Sequence, residues 1–488
     1  MNEESSVAVA TRDNMVKLYN TLARKKEPFK PLKGKTVRLY TCGPTVYNYA
    51  HIGNLRAYVF ADTLKRVLAH FKYRVHHVMN ITDVGHLTSD ADAGEDKMLL
   101  GAQRERKTVW QIAEFYTDAF KNDIADLNIV EPNVWCKATD HIYLQIELIL
   151  KLEKKGFTYT ADGNVYFDTA KLPDYGKLAG LERKREKSIA RVEKDLNKKH
   201  AHDFVLWFTK SKFQDQDMKW ESPWGVGYPG WHIECSAMST HYLGQPFDIN
   251  TGGIDQISVH NNNEIAKSEA AEGTPMVNIW MHNEHLIIDS KRMGKSEGNF
   301  ITLDILKEKG YDPLAYRFFL LQTHYRQQLN FTWQSLDGAQ NGYRALCDNV
   351  ADFMRRAHGK GRRGSLFSPR LIRAMERIDA ALADDLGTPQ ALALIFELVA
   401  DVNRHADSLT AGDYRAVCKA LADVDLVFGL GITRTREQSV PLDILALVKK
   451  REVARHDKRW SDADALRDEI IKAGYRVEDT ADGSSIQR

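Results

Sequence analysis

The chain reads as an α/β protein, a parallel-sheet domain carrying an insertion and followed by an α-helical bundle, and three observations predict this. Val37-Arg-Leu-Tyr-Thr-Cys42 is an apolar strand broken by Gly43-Pro44. Phe60, Leu64, Val67, Leu68 and Phe71 then recur at three- and four-residue steps, the mark of a helix with one apolar face. Arg74 to Thr82 follows as a second strand, completing a βαβ unit and requiring a parallel, Rossmann-type sheet. Ligands of such sheets bind beyond the carboxyl ends of the strands, which places Cys42 and the His51 segment at the binding end.

The remaining elements follow in order. Residues from about 105 to 155 read as helical, with Ile112, Phe115, Tyr116 and Phe120 on one stripe. The stretch from about 160 to 225 is mixed and polar and reads as inserted material. Trp231 to Trp280, with Phe247-Asp-Ile249, reads as a second sheet-forming stretch. After Tyr311 the pattern turns helical. Gly359 to Ser368 reads as a linker, and helices resume from Pro369 with breaks at Gly387-Thr-Pro389 and Gly429 to Gly431. The expected domains are therefore 17–330, with about 105–225 containing the insertion, then 331–368 as connecting helices and linker, and 369–488 as a helical domain.

At 488 residues the chain has room for about three domains of ~150 residues. The longest apolar run, near Ala391 to Val399, falls well short of the ~20 residues a membrane span needs. The first residues are acidic and polar, so no secretory signal is expected. Five scattered cysteines (42, 136, 235, 347 and 418) fit a reducing cytoplasm better than a disulfide framework. The net charge is only +2, yet basic residues cluster near 183–187, 355–363 and 449–459. Any one such run is most simply a solvated face; three of them beside nucleotide-type motifs point to nucleic acid.

Two short segments carry nucleotide chemistry. His51-Ile-Gly-Asn54 is a glycine-containing turn before a helix, where backbone N–H groups attract phosphate and a histidine can donate to it. On residue type alone, His51 simply caps the turn. Lys291-Arg-Met-Gly-Lys-Ser296, followed by Glu297-Gly-Asn299, flanks Lys295 with small residues in a loop able to bring an ammonium to a pyrophosphate. On its own it is an ordinary basic loop.

In this order on a βαβ frame, the pair resembles the two signatures of class I aminoacyl-tRNA synthetases. Tyr40-Thr-Cys-Gly-Pro-Thr-Val-Tyr47, Asn80-Ile-Thr-Asp83, Phe204-Val-Leu-Trp207, Pro229-Gly-Trp-His-Ile-Glu-Cys-Ser-Ala-Met238 and Gly252-Gly-Ile-Asp255 narrow the resemblance to the cysteinyl-tRNA synthetase family. Gly298-Asn-Phe300, His324-Tyr-Arg326 and Leu329-Asn330 extend it, so that it runs from about residue 17 to 480. The resemblance implies ATP-dependent, Mg²⁺-assisted activation of L-cysteine and its transfer to tRNA(Cys) by a monomeric cytoplasmic enzyme. It implies one zinc ion held by Cys42, Cys235, His260 and Glu264. His260 and Glu264, four apart, fall on one face of a helix beginning near 260. Zinc ligation of the substrate thiol would separate cysteine from serine.

The resemblance further implies catalytic roles for His51, Asn54 and Lys295. It implies ATP contacts from Gly43, Pro44, Thr45, His51, Gly53, Asn54, Gly253, Asp255, Arg292, Met293, Gly294, Lys295 and Ser296, and contacts to cysteine from Thr82 and Trp231. After residue 369 the chain resembles the family's anticodon-binding bundle, with Asp385-Leu-Gly-Thr-Pro389 opening a matching helix. Arg455, Trp460, Asp464 and Asp479 stand at the tRNA-reading positions. Removal of everything after about 369 is thus expected to spare activation and to impair charging of tRNA.

Four positions depart from the family pattern. Asn54 ends the first signature in place of histidine, and Gly294 stands in the second, which usually reads Lys-Met-Ser-Lys-Ser. Asn250 and Asn261 replace histidines at the floor of the amino-acid site, and some relatives carry histidine at Gln256. Two other readings stay open: a ligase joining cysteine to a small amino-sugar acceptor, and a degenerate paralogue that binds RNA or zinc without catalysis.

Overall fold

The computed structural model describes residues 15–85, 97–180, 196–210, 218–289, 291–292, 300–359, 367–433, 442–457, 459–473, 475–480 and 483–487. The chain divides into two compact units, 1–433 and 434–488.

A five-stranded, wholly parallel sheet forms the centre of the first unit. Its order is Val277–Asn283, Phe247–Gly253, Thr36–Thr41, Arg74–Ile81, Val134–Lys137. The strand Thr36–Thr41 therefore has later strands on both sides, and the order reverses beside it. Such a reversal opens a crevice at the carboxyl ends, the usual ligand position in open α/β sheets. Cys42 leaves the sheet here, its N–H donating to the carbonyl of Thr251 at 3.3 Å.

Successive strand residues face opposite ways and build two cores. Leu39, Met79, Ile279 and Met281 join the helices Ile52–His70 and Val109–Asp126 on one face. Tyr40, Val78 and Trp280 join Ile142–Lys154, Ile233–Leu243 and His260–Glu272 on the other. Trp231 to Trp280 thus adds two strands to the first sheet rather than forming a second one. Within the 105–155 stretch the structure places the edge strand Val134–Lys137, and Phe115 is 40% exposed while Ile112, Tyr116 and Phe120 are buried. The polar region from 160 onward contains a four-stranded antiparallel sheet, Thr158–Ala161, Asn164–Phe167, Phe204–Phe208 and Tyr228–Pro229. Its Phe167, Phe204, Leu206 and Trp207 are buried against the second core.

The helices Pro313–Leu321, Trp333–Ala357, Ser368–Ala383, Thr388–Arg404 and Ala411–Phe428 share the first core rather than starting a separate body at 369. Arg317 ties them in. Fully buried, it donates to Asp62 Oδ2 at 2.5 Å, to the Leu127 carbonyl at 2.9 Å and to the Phe428 carbonyl at 2.6 Å. Gly429, at φ +63°, closes this joint: a Cβ there would lie 2.8 Å from the Arg317 guanidinium.

The unit 434–488 packs Leu442–His456 and Trp460–Lys472 with a hairpin, Arg476–Thr480 against Gly483–Gln487, around Ile444, Val448, Ile470, Tyr475 and Val477. The hairpin is an addition to the expected all-helical end. Among the described residues no helix is long and apolar enough to cross a membrane.

Candidate active site and metal centre

Two thiols and an imidazole converge at the crevice. Cys42 follows the strand Thr36–Thr41, Cys235 lies in the first turn of the helix Ile233–Leu243, and His260 opens the helix His260–Glu272. Cys42 Sγ lies 3.9 Å from Cys235 Sγ and 3.7 Å from His260 Nε2. Tetrahedral zinc with its usual bond lengths would set these ligand edges at roughly 3.8 and 3.5 Å. Glu264, one helical turn after His260, places Oε1 3.8 Å from His260 Nε2. That oxygen is buried without a hydrogen-bond partner among the described residues, whereas Oε2 accepts from Asn261 Nδ2 at 2.6 Å. The ligand atoms of Cys42, Cys235 and His260 lie within 4.8 Å of one another and fit zinc; the open, buried Glu264 oxygen stands beside the imidazole but not within that distance of all three.

The electrostatics agree. The hydrogen bond from Cys235 and the charge of His260 hold the Cys42 thiol well below its ordinary range, and the bond to Cys42 together with burial raises Cys235. Burial alone would lower His260, but Glu264 and Cys42 push it up to about 9. Trp231, partly buried, sets its ring 5.3 Å from that of His260, and His232 Nδ1 lies 3.2 Å from His260 Nδ1.

The loop expected to meet ATP begins one residue after Cys42. Gly43 donates its N–H to Asn80 Oδ1 at 2.8 Å, and a Cβ at Gly43 would sit 1.6 Å from the Asn80 carbonyl oxygen, so only glycine allows this approach. The Pro44 carbonyl accepts from Thr82 N–H at 3.0 Å, and Val46 N–H donates to the Thr82 carbonyl at 3.1 Å. Thr45 thereby runs beside Thr82. Thr82 was expected to touch cysteine. It is 2% exposed, its hydroxyl donating to Glu234 Oε2 at 3.1 Å and accepting from Asn80 at 3.0 Å, so it braces the loop from beneath.

His51 is the N-cap of the helix Ile52–His70. Its Nδ1 accepts from Asn54 N–H at 3.0 Å, and Asn54 Oδ1 accepts from His51 N–H at 3.2 Å, a reciprocal capping box. Burial lowers the His51 pKa to about 4, so the ring is neutral near pH 7. With Nδ1 accepting, the remaining proton belongs to Nε2, which is left as a donor. Ile52 N–H donates to Ile301 at 2.9 Å, and the Phe300 ring stands edge-on to His51 at 5.5 Å. The segment following residue 299 is thereby fixed against the histidine turn. Asp255 is exposed and near enough to raise the His51 pKa electrostatically; its Oδ1 lies over Gly253 and would have to move for a Cβ there. Gly53, in the first turn of the helix, is partly exposed. The strand Lys291–Arg292 pairs with Leu286–Ile288. Met293, Gly294, Lys295 and Ser296 lie outside the described residues.

The family model "tRNA synthetases class I (C) catalytic domain" matches residues 28–341. "DALR domain" matches 377–433 and "Cysteinyl-tRNA ligase anticodon binding domain" matches 437–485. A "Cysteine--tRNA ligase" of Treponema denticola is 45% identical, the match covering 96% of this chain and 98% of that one. The chain belongs to the cysteine–tRNA ligase family. A "Cysteine--tRNA ligase 1" of Burkholderia lata is 46% identical, covering 96% of each chain. Among solved structures, a methionyl-tRNA synthetase of Mycobacterium tuberculosis with methionyl-adenylate matches with a TM-score of 0.58 at 15% identity, over 83% of this chain and 92% of that one. A leucyl synthetase–tRNA complex of Agrobacterium radiobacter K84 matches at 0.61 and 12% identity, over 84% and 86%. These two similarities concern the fold.

The family's C-terminal residues lie in the unit 434–488. Trp460 opens the helix Trp460–Lys472 and is 59% exposed, and Asp464 one turn later is exposed, while Ala463 and Ile470 face the core. Arg455 is partly buried on Leu442–His456, and Asp479 pairs across the hairpin with Ser484. Of the three polar residues read as departures or variable positions, only Asn261 is bonded throughout; Asn250 Nδ2 and Gln256 Oε1 are buried without a partner among the described residues. Asn250 is buried, Asn261 bonds Glu264, and the Gln256 amide reaches Cys42. Sequence reasoning missed Asn80, Glu234, His232 and His282. The first three lie inside or beside quoted segments; nothing in the spacing marks His282.

Proposed function

We propose that this chain activates L-cysteine with ATP as cysteinyl-adenylate and transfers it to tRNA(Cys), in the cytoplasm. The reading is supported by the convergence of Cys42, Cys235 and His260 at the carboxyl end of the sheet, with the neutral, capped His51 at the start of the helix that follows the first strand. Cys42, Cys235, His260 and Glu264 would hold zinc. Bound there, the metal supplies a soft Lewis acid for the substrate thiol, which a serine hydroxyl matches poorly. Trp231 walls the amino-acid side. The Gly43–Thr45 turn and the start of the helix Ile52–His70 receive ATP, which arrives with Mg²⁺, and His51 Nε2–H donates to phosphate as charge builds in the transition state. Lys295 brings a positive charge to the leaving pyrophosphate. Trp460, Asp464, Arg455 and Asp479 read the anticodon. The C-terminal match favours tRNA over a small amino-sugar acceptor.

The test is ATP–pyrophosphate exchange in zinc-replete protein with cysteine or serine. Exchange that depends on cysteine and fails with serine supports the reading. No exchange with cysteine would instead support a degenerate paralogue.

A further inference from the structure

Asn261 departs from the family's histidine, yet it is fully buried and bonded at both ends of its amide. Its Nδ2 donates to Glu264 Oε2 at 2.6 Å, and its Oδ1 accepts from His282 Nε2 at 3.0 Å. His282 Nδ1 lies 2.8 Å from Thr21 Oγ1. The directions are forced. An amide oxygen only accepts, so His282 Nε2 carries a proton; burial keeps the ring neutral, so its Nδ1 accepts from Thr21. The Trp280 ring stacks on His282 at 6.2 Å and 2°, and Thr21 is anchored by its N–H on the Trp280 carbonyl at 2.8 Å. A one-way chain of donors thus runs from Thr21 through His282 and Asn261 to Glu264.

We propose that Asn261 is a positioning residue for the metal centre: it fixes one oxygen of Glu264 and leaves the other, Oε1, presented beside His260. The proposal rests on the zinc reading above. It also accounts for the exchange of residue types. A neutral imidazole offers one acceptor and one donor, as an amide does, and can join His282 to Glu264 in the same direction. Aspartate has the size of asparagine but no donor for Glu264, and leucine has neither donor nor acceptor.

The experiment measures zinc affinity by competition with a chromophoric chelator, together with the visible absorption of the cobalt(II)-loaded protein. Asn261→Asp and Asn261→Leu are expected to weaken zinc binding about 10- to 100-fold, the usual effect of removing a group that orients a ligand. Both are expected to alter the cobalt bands. Asn261→His is expected to restore affinity and spectrum. Circular dichroism identifies variants that fold, and Asn261→Asp, equal in volume, decides the matter if Asn261→Leu does not. A folded Asn261→Asp that binds zinc as tightly as the unaltered protein, with unaltered cobalt bands, would overturn the relay alone. Unaltered protein that binds no stoichiometric zinc would overturn the metal reading beneath it.

Discussion

His51 caps its helix, and the proposed donation to phosphate is a second task that substitution can separate from the first. Its Nδ1 caps the helix by accepting from Asn54 N–H at 3.0 Å, and its Nε2–H is left for phosphate. His51→Asn keeps a good capping acceptor but shortens the side chain, whereas His51→Ala removes both functions. Loss of an N-cap costs ~1 kcal/mol of stability. Loss of a preorganised transition-state donor costs ~2.7–4 kcal/mol, about 10²- to 10³-fold in rate. His51→Ala is therefore expected to lower both melting temperature and exchange rate, and His51→Asn to lower the rate while leaving the melting temperature nearly unchanged. The pH dependence follows from burial. The folded pKa, about 4, lies below the unfolded value of about 6.5, so protonation favours the unfolded chain. This site's stability contribution is intact above the unfolded value, falls as pH drops from there towards about 4, and levels off below. Melting and pyrophosphate-exchange measurements from pH 4 to 8 on both variants test these expectations. A normal exchange rate in His51→Asn would refute the phosphate role and leave His51 as a cap alone.

Two further expectations are direct. Lys295→Ala should lower the single-turnover rate of adenylate formation about 10²-fold with little change in cysteine binding, because its charge acts mainly in the transition state; an unaltered rate would remove its assigned role. Trp460→Ala should weaken tRNA use by ~1–3 kcal/mol, the worth of one stacked base, or about 5- to 150-fold, with activation unaltered. Trp460 is 59% exposed, so a loss of activation equal to the loss of charging would contradict its placement on the surface.

The parts of the fold legible in the sequence were those with long, regular apolar patterns. The strands around Leu39 and Val78 and the helix between them bury most of their large apolar side chains, among them Val37, Leu39, Leu64, Leu68, Val78 and Met79. Val134–Lys137 escaped notice because four residues carry no readable alternation. Phe204–Phe208 was quoted as a motif, but the charged residues around it hid that it is a fully buried strand. The candidate metal ligands were legible through family resemblance, and only the His260/Glu264 spacing was readable in its own right. The relay behind them was not, since Thr21, Asn261 and His282 meet solely through tertiary folding. Asn54, apparently a loss, supplies the acceptor that completes the capping box with His51.

The location of the domain boundary leads to the last prediction. A cut after about 369 was expected to spare activation because all the chemical motifs precede it. The structure moves the safe cut to 433. Truncation at 369 would strip Arg317 of the Phe428 carbonyl at 2.6 Å while leaving its charge buried with Asp62. It would also remove Asp385, which accepts from Tyr19 N–H at 2.8 Å, Tyr325 Oη at 2.7 Å and Arg326 Nε at 2.8 Å. Each buried group left unpaired costs ~1–3 kcal/mol, and more when charged, against a total stability of about 5–15 kcal/mol. The apolar residues Tyr343 and Leu346 would in addition lose the core they share with Val417 and Leu421. Residues 1–369 should therefore fail to fold, whereas 1–433 should fold and exchange pyrophosphate with cysteine but fail to charge tRNA(Cys) efficiently. Thermal melting, exchange and aminoacylation on the two truncated chains separate these outcomes. Full exchange by 1–369 would show that the shared core is dispensable, and normal charging by 1–433 would show that residues 434–488 are not the anticodon reader.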